Sequence, residues 1–460
     1  MLNKIIRFVI NVMNPNLLPC SRRSFMQRCA VLAAVSGVPA WLVERELSAA
    51  TPKALGPNDR PGIALVGCGG MGNGDANLAS KFGEILAVCD VDKTHSEATA
   101  KKFAKDGKSP DQYADFRKML ERDDIHAVVN ATPDHWHTLV NLGITLAGKD
   151  AYGEKPLTLS VEEGKRLVKA VRQHKTVLQT GTQQRSDAKF RLACELVRNE
   201  RIGKLKEVTV WLPAGLREGP FKNEPVPSAL NWEFWLGQAP MVEYTPKRCH
   251  TFFRYWYDYS GGTVTDWGAH HNDIALWATG LSGPVAVEGK PLTDTIPGGY
   301  TAYSEYEIKF TYANGVIHNA RTTKADNIFG GVEDPNGQRN GIRFEGSTGW
   351  IWVNRSNLKA NDPELIKASL PEGAQRLYAS NDHMGNFFNC IRSRKDPICD
   401  VQTGHESAMI SHLGVIALRT GLKLGWDPKQ EEFTGPDAKE GNRHLAREMR
   451  KPYDFSFVGA

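Results

Sequence analysis

A short apolar run, Gly62-Ile63-Ala64-Leu65-Val66, opens directly onto Gly67-Cys68-Gly69-Gly70-Met71-Gly72, and this step from strand into glycine turn narrows the possible folds most. G-x-G-x-x-G placed between a strand and a helix is the context of a dinucleotide-binding turn. Gly67 allows the tight turn, Gly69 lets the backbone approach a pyrophosphate at the helix N-terminus, and Gly72 lets the helix pack closely on the strand. Gly70 and Met71 complete the turn as cofactor-binding candidates. A second apolar run, Ile85-Leu86-Ala87-Val88-Cys89, ends in Asp90, eighteen residues beyond Gly72. An acid there accepts hydrogen bonds from ribose hydroxyls and repels a 2′-phosphate, so the expected cofactor is NAD in preference to NADP. The alternative is a chance glycine turn in an ordinary α/β protein.

The pattern downstream alternates strand and helix. Ile125 to Asn130 reads as a buried strand ending in Ala131-Thr132-Pro133, Asp134 to Ala147 as a helix, and Asp150 to Gly153 as the next strand, running into Glu154-Lys155-Pro156. Ser160-Val161-Glu162-Glu163 starts a helix with a capping-box pattern, and Thr176 to Thr180 closes the run. Such alternation predicts a doubly wound parallel sheet of the Rossmann type, with ligands at the carboxyl ends of the strands. After Gly181-Thr182-Gln183-Gln184-Arg185 the period becomes two, as in Glu207 to Trp211 and Glu305 to Phe310. A C-terminal α+β domain with a large, mainly antiparallel sheet is expected. The domain organisation is then a leader over 1–50, a linker over 51–60, an NAD-binding domain over 61–181, and a substrate and oligomerisation domain with an extended tail over 182–460. Residues 231–259 are dense in aromatics, which suit either core packing or stacking on sugar rings.

A chain of 460 residues with 41% apolar content can hold two full cores. Its net charge of +5 comes from the leader: six of 57 basic and two of 52 acidic residues lie in the first fifty, leaving 51 against 50. A nearly neutral body gives no electrostatic support for a nucleic-acid partner. Ser21-Arg22-Arg23-Ser24-Phe25-Met26, the apolar run Ala30 to Val38 and the small residues Ser48-Ala49-Ala50 resemble a twin-arginine export signal, which predicts a periplasmic protein. An uncleaved anchor is the alternative, though the run is short and alanine-rich for a membrane span. The apolar stretch Ile5 to Val12 upstream is unusual for such a signal and raises the question of a later start. That export route carries folded proteins already loaded with cofactor, so NAD is expected to stay bound through turnover. Cys20 and Cys29 lie in the leader, and Cys68, Cys89, Cys194, Cys249, Cys390 and Cys399 show no C-x-x-C spacing; they read as buried apolar residues.

Lys155 stands where a sheet strand would deliver a proton-transfer group to a nicotinamide. A second constellation, Gly261 to Asp273, contains Asp266 and His270 four residues apart, on one face of the helix expected to start here. Oxidising a secondary alcohol with NAD requires an aimed hydride and simultaneous removal of the hydroxyl proton. A lysine, an aspartate and a histidine around one hydroxyl supply a base, an orienter and a hydrogen-bond partner. The rival readings are that Lys155 is a surface lysine and His270 a satisfied core histidine. Asp134, His135 and His137 with Asp266 and His270 could be read as metal ligands, but no H-E-x-x-H or cysteine cluster supports that, and no metal is expected.

With these motifs in order, the chain over 60–455 resembles the glucose-fructose oxidoreductase/inositol dehydrogenase (Gfo/Idh/MocA) family, and its tail, through His383-Met384-Gly385, Gly404-His405 and Arg450-Lys451-Pro452-Tyr453, resembles exported bacterial members. The resemblance implies Lys155 as acid/base, Asp266 and His270 as its catalytic partners, and Thr132, Pro133, His137, Glu154 and Gln183 as further cofactor contacts. Arg185, Trp232, Arg254, Tyr257 and His271 are candidate substrate contacts. The expected activity is oxidation of a secondary hydroxyl of a sugar or glycoside by tightly held NAD, in a homo-oligomer. One alternative is net glycoside hydrolysis through transient oxidation and elimination, although the family's NAD-dependent glycosidases carry another residue at the Lys155 position and lack Asp-x-x-x-His. A non-catalytic sugar-binding protein is the other.

Overall fold

The computed structural model describes residues 59–322 and 340–460. The leader and most of the linker expected before the first strand lie outside the described residues. Six strands, β1 (Gly62–Val66), β2 (Glu84–Cys89), β3 (Asp111–Tyr113), β4 (Ala127–Asn130), β5 (Asp150–Gly153) and β6 (Leu178–Thr180), form one sheet in the order β3-β2-β1-β4-β5-β6. Every pair in it is parallel. Helices cover both faces, so β1, β4 and β5 are buried along their whole lengths, which is why they read as continuous apolar runs. The strand order reverses beside β1, and the crevice at the carboxyl ends of β1 and β4 is where such a sheet binds ligands.

The other strands are β7 (Leu205–Leu212), β8 (Ala286–Pro291), β9 (Tyr306–Thr311), β10 (Ile317–Thr322), β11 (Gly341–Gly346), β12 (Trp350–Val353), β13 (Leu358–Ala360), β14 (Lys423–Asp427) and β15 (Glu432–Thr434). They form a nine-stranded sheet in the order β13-β12-β11-β7-β10-β9-β8-β14-β15. Its pairs are antiparallel except β7 with β10. In β9, Tyr306, Ile308 and Phe310 point inward and alternate with exposed residues, the period-two signature of a sheet covered on one face. Helices Ala188–Arg198, Gly268–Thr279 and Val401–Thr420 supply that cover. The Gly268–Thr279 helix is buried almost all round because it lies between sheet and neighbouring helices.

The far end of the chain returns to the first sheet. Met384, Phe387, Phe388 and Ile391 of helix His383–Ser393 join Ile63, Leu65, Val88 and Val129 in one core, on a face that the glycine-rich helix Gly70–Ala79 covers with few large side chains. On the opposite face Tyr453, Phe455 and Phe457 pack around Trp136 and Phe234. All six cysteines of the described residues are buried and free. Among the described residues no helix is long and apolar enough to cross a membrane.

Inside the second core His318, on β10, is fully buried 5.1 Å from the Phe310 ring, and neither ring nitrogen has a partner. Burial lowers its pKa to about 3. The unfolded chain, with histidine near 6.5, takes up that proton first, so this contribution to stability is complete above pH 6.5 and is lost as pH falls toward 3. At pH 5 the loss is roughly 2 kcal/mol. His318→Phe removes the titration without removing a hydrogen bond, and is expected to shrink the drop in unfolding free energy between pH 8 and pH 5, measured by denaturant titration. An unchanged drop would contradict this account.

Candidate active site

The glycine turn is built as its spacing requires. Gly67 sits at φ +89°, and a Cβ there would lie 2.5 Å from the Ala131 carbonyl oxygen; a Cβ on Gly72 would overlap the Gly67 carbonyl. Gly69 and Gly70, by contrast, have nothing within 4 Å of an added Cβ, and Gly69 is the N-cap of helix Gly70–Ala79 with no side chain capping its free N–H groups. An open, uncapped helix N-terminus at a strand end fits a dinucleotide pyrophosphate. Asp90, at the end of β2, accepts from the Cys68 amide (2.7 Å) and the Asp92 amide (2.8 Å), which fixes its carboxylate at the turn. A cleft of about 750 Å³ runs from there to Lys155. Its walls include Gly67, Gly69, Gly70, Met71, Gly72, Asp90, Thr132, Pro133, His137 and Glu154.

At the other end of the cleft Lys155, just beyond β5, meets Asp266. Its Nζ lies 2.5 Å from Asp266 Oδ1 and 3.3 Å from the Asp266 carbonyl oxygen. Arg254 Nε approaches the same carboxylate oxygen at 3.4 Å. Burial pushes the Asp266 pKa up, but the Lys155 and Arg254 cations outweigh it and hold the carboxyl below its ordinary value. The single helix expected to carry Asp266 and His270 is instead two, Thr263–Asp266 and Gly268–Thr279, interrupted at Trp267. The reason lies in the carbonyls: that of Asp266 accepts from Lys155, and the His270 amide turns to Trp267 O at 3.0 Å. His270 is buried, its Nδ1 unpartnered and its pKa well below 6.5 through burial and the Lys155 charge, so it is a neutral imidazole.

Glu154 supports this end from behind. Its carboxylate accepts from Gln183 Nε2 (3.0 Å) and the Lys155 amide (3.3 Å). Gln183 also reaches Tyr152 Oη at 3.1 Å, so it buttresses Glu154 and is not part of the cleft wall. Burial lifts the Glu154 pKa, and Asp75, buried beside it on the cofactor helix, is pushed up to about 9 by burial and by Glu154. His137 ties two backbone segments together, with Nδ1 2.6 Å from Pro156 O and Nε2 2.8 Å from Thr132 O.

Of the expected substrate contacts only Arg254 lines the cleft. Arg185 is buried in a two-point ion pair with Asp273, its Nη2 2.7 Å from Oδ1 and its Nε 2.8 Å from Oδ2. Trp232 stacks on Trp235 inside the aromatic core and donates to Val242 O. Tyr257 lies between the Arg419 and Arg447 guanidinium groups. His271 is fully buried between Gln184 and Asn340. These four are corrected to packing and anchoring residues, because none of them lines the cleft and Arg185, Trp232 and His271 already have polar partners inside the protein. The aromatic stretch divides: Trp232, Tyr244, Trp256 and Tyr259 are core, whereas Phe234, Trp235, Phe253 and Tyr255 also face the cleft.

The structure adds residues the sequence reading missed. Phe116 and Trp136 line the cleft near Asp90, and His95 and His250 meet there with ring centroids 4.7 Å apart. No motif marks them; they converge only in the fold. Asp92, His95 and His250 present ligand atoms all within 4.8 Å of one another, the one group of three among the described residues able to hold a metal ion. The ligands considered from sequence do not converge, since His135 and His137 face backbone carbonyls.

Comparison with known proteins follows this geometry. Residues 62–182 match the family described as oxidoreductase family, NAD-binding Rossmann fold, and residues 211–455 match its C-terminal alpha/beta domain. The scyllo-inositol 2-dehydrogenase (NAD(+)) of Bacillus subtilis (strain 168) is 31% identical over 396 residues, 81% of this chain and 98% of that protein. Glycosyl hydrolase family 109 protein 2 of Shewanella sp. (strain ANA-3) is 31% identical over 158 residues, 31% of this chain; the match spans about a third, 35%, of that protein's length. Among solved structures, the WlbA dehydrogenase from Bordetella pertussis in complex with NADH and UDP-GlcNAcA superposes with a TM-score of 0.59 at 20% identity, covering 80% of this chain and 99% of that one, a likeness of fold. Residues 62–182 are an NAD-binding domain.

The two kinds of glycine separate fold from cofactor. Gly69→Ala, with open space at its Cβ, is expected to leave the thermal midpoint unchanged while cutting NAD affinity roughly tenfold or more, measured by fluorescence titration. Gly72→Ala should destabilise the fold by about 1–3 kcal/mol because backbone must move. Equal effects of the two on stability would contradict the cradle.

Proposed function

The chain belongs to the Gfo/Idh/MocA oxidoreductase family, and on that premise we propose that it oxidises a secondary hydroxyl of a sugar or glycoside. The observation that carries this reading is the Lys155–Asp266 contact of 2.5 Å in the wall of the cleft that begins at the glycine turn. Gly67, Gly69, Gly70, Met71, Gly72, Asp90, Thr132, Pro133 and Glu154 hold the cofactor, with His137 and Gln183 fixing the segments behind it. Bound NAD supplies the hydride acceptor. Lys155 Nζ takes the hydroxyl proton while the carbon–oxygen double bond forms, and returns it in the reverse direction. Asp266 remains an ionised carboxylate and aims the Lys155 Nζ. His270, a neutral imidazole outside the residues that line the cleft, is assigned a hydrogen bond to the same hydroxyl on the family's Asp-x-x-x-His pattern.

The same proposal has the protein exported to the periplasm by its twin-arginine leader with NAD retained through turnover, and associating as a homo-oligomer. Redox-neutral cleavage of a glycoside is the second reading, favoured by the 31% identity over 158 residues to a glycosyl hydrolase family 109 protein. The Lys155–Asp266 pair supports the oxidoreductase over it.

Lys155→Met tests the chemistry. Arg254 still pairs with Asp266, so the variant is expected to fold and keep NAD, while reduction of bound NAD by a sugar panel, followed by absorbance, falls roughly 10²–10⁴-fold. Undiminished reduction would refute Lys155 as the acid/base. Aglycone release from aryl glycosides without net NADH would transfer the conclusion to the hydrolase.

A further inference from the structure

The end of the cleft away from Lys155 carries a cluster that the proposed chemistry does not use. Asp92, His95 and His250 each offer one ligand atom, and the three atoms lie within 4.8 Å of one another. Their separations are long for hydrogen bonds: His250 Nε2 is 3.5 Å from Asp92 Oδ2, and His95 Nδ1 is 3.8 Å from Asp90 Oδ2. The two imidazoles lie with centroids 4.7 Å apart and planes tilted by 54°. Ligand atoms about 2.0–2.1 Å from a tetrahedral metal stand roughly 3.3 Å from one another. The His250–Asp92 spacing is therefore already close to one edge of such a site, and rotation of the partly exposed His95 side chain closes the rest.

The backbone beneath the cluster is fixed. Asp92 Oδ1 accepts from the Thr94 amide at 2.9 Å as the cap of helix Lys93–Lys102, which leaves Oδ2 turned to His250. Asp92 also forms a β-bridge with Leu230, and Lys93 N donates to Ala229 O and Asn231 N to Val91 O, each at 2.9 Å, so the two halves of the molecule are held in register here. Cys249, next to His250, is fully buried. Ligands on segments held in this way lose little freedom when a metal joins them. The His250 side chain is 43% exposed, which leaves an entry path for an ion.

We propose that Asp92, His95 and His250 form a structural site for a divalent transition metal of the zinc class, with water as the fourth ligand, and that the metal clasps the two halves over the adenosine end of bound NAD. His95 and His250 line the cleft beside Asp90, the residue placed to receive the ribose, so release of NAD requires the clasp to open. Two imidazoles and a carboxylate suit zinc better than calcium or magnesium, which take oxygen ligands. The Asp90 carboxylate beside His95 adds negative charge that favours the cation. The metal stands at the opposite end of the cleft from Lys155 and takes no part in hydride or proton transfer, so the inference goes beyond the sugar-oxidising reading and does not depend on it.

The test uses the full-length protein, stripped of metal by a chelator, with and without NAD. Calorimetry reads the binding of Zn²⁺, and visible absorption reads that of Co²⁺, which is intense only in tetrahedral surroundings. Release of NAD is followed by its exchange for a fluorescent analogue. One metal is expected per chain, with a tetrahedral cobalt spectrum, and zinc is expected to slow NAD release roughly tenfold or more. His95→Gln and His250→Asn should each weaken Zn²⁺ binding by more than the roughly 10- to 100-fold that a change behind the ligands costs, and should remove the effect of zinc on NAD release. Asparagine tolerates the left-handed conformation of His250, at φ +49°, and Asp92→Asn keeps the helix cap while removing the ligand charge, so a loss of binding in these variants is not a loss of fold. No binding of zinc or cobalt, or binding unchanged in all three variants, overturns the inference. One metal per chain that leaves NAD release unchanged overturns the clasp.

Discussion

The Lys155–Asp266 ion pair joins the two halves of the molecule at the point where chemistry would occur. Lys155 leaves the end of β5 in the parallel sheet, and Asp266 ends a short helix belonging to the second half. Both side chains are largely withdrawn from water, at 9% and 18% exposure, so the pair repays its desolvation only through close geometry. What it fixes is position. By drawing the Asp266 carbonyl as well as its carboxylate, Lys155 interrupts the helix at Trp267, and that interruption sets where the next helix, which carries His270, begins. Losing one partner of such a pair typically costs about 3–5 kcal/mol when the other is left alone. Here Arg254 stands by as a second cation.

A second cross-contact closes the opposite end of the cleft. His250, from the aromatic segment of the second half, places Nε2 3.5 Å from Asp92 Oδ2, and Asp92 caps helix Lys93–Lys102 immediately after the ribose-side Asp90. His250 adopts φ +49°, a left-handed conformation that costs a non-glycine residue about 1–2 kcal/mol. The segment accepts that strain while Phe253 and Trp256 bury themselves in the aromatic core beside it. The cleft is therefore bracketed by contacts between the two halves, one at each end, and its shape depends on both halves folding together.

How legible this was in the sequence follows from how local each determinant is. The glycine turn, Asp90 and the strand-end lysine are fixed by neighbours along the chain, and so is the cap of helix Val161–His174, where Ser160 accepts from Glu163 N. The Glu163 carboxylate, however, reaches the Leu159 amide and Thr138 in place of closing the box at Ser160. His250 and Phe116 carry no motif, because their place at the cleft is set by packing between distant segments. Arg185, Trp232, Tyr257 and His271 have the residue types of a binding site and lie near its motifs in sequence. Only the fold reveals that Asp273, Val242, two arginines and Asn340 already answer them. The return of helix His383–Ser393 onto the first sheet was illegible for the same reason, since its apolar stripe fits either core.

The two pairs of acidic residues along the cleft lie in different surroundings. Asp90 and Asp92 sit at the partly open end, where their carboxylates accept backbone amides at 2.7–2.9 Å. Asp75 and Glu154 are buried against each other beneath the glycine helix, where burial and mutual repulsion favour a retained proton. Glu154 lines the cofactor cleft, while Asp266, whose Oδ1 lies 2.5 Å from Lys155 Nζ, is the carboxylate that orients the lysine.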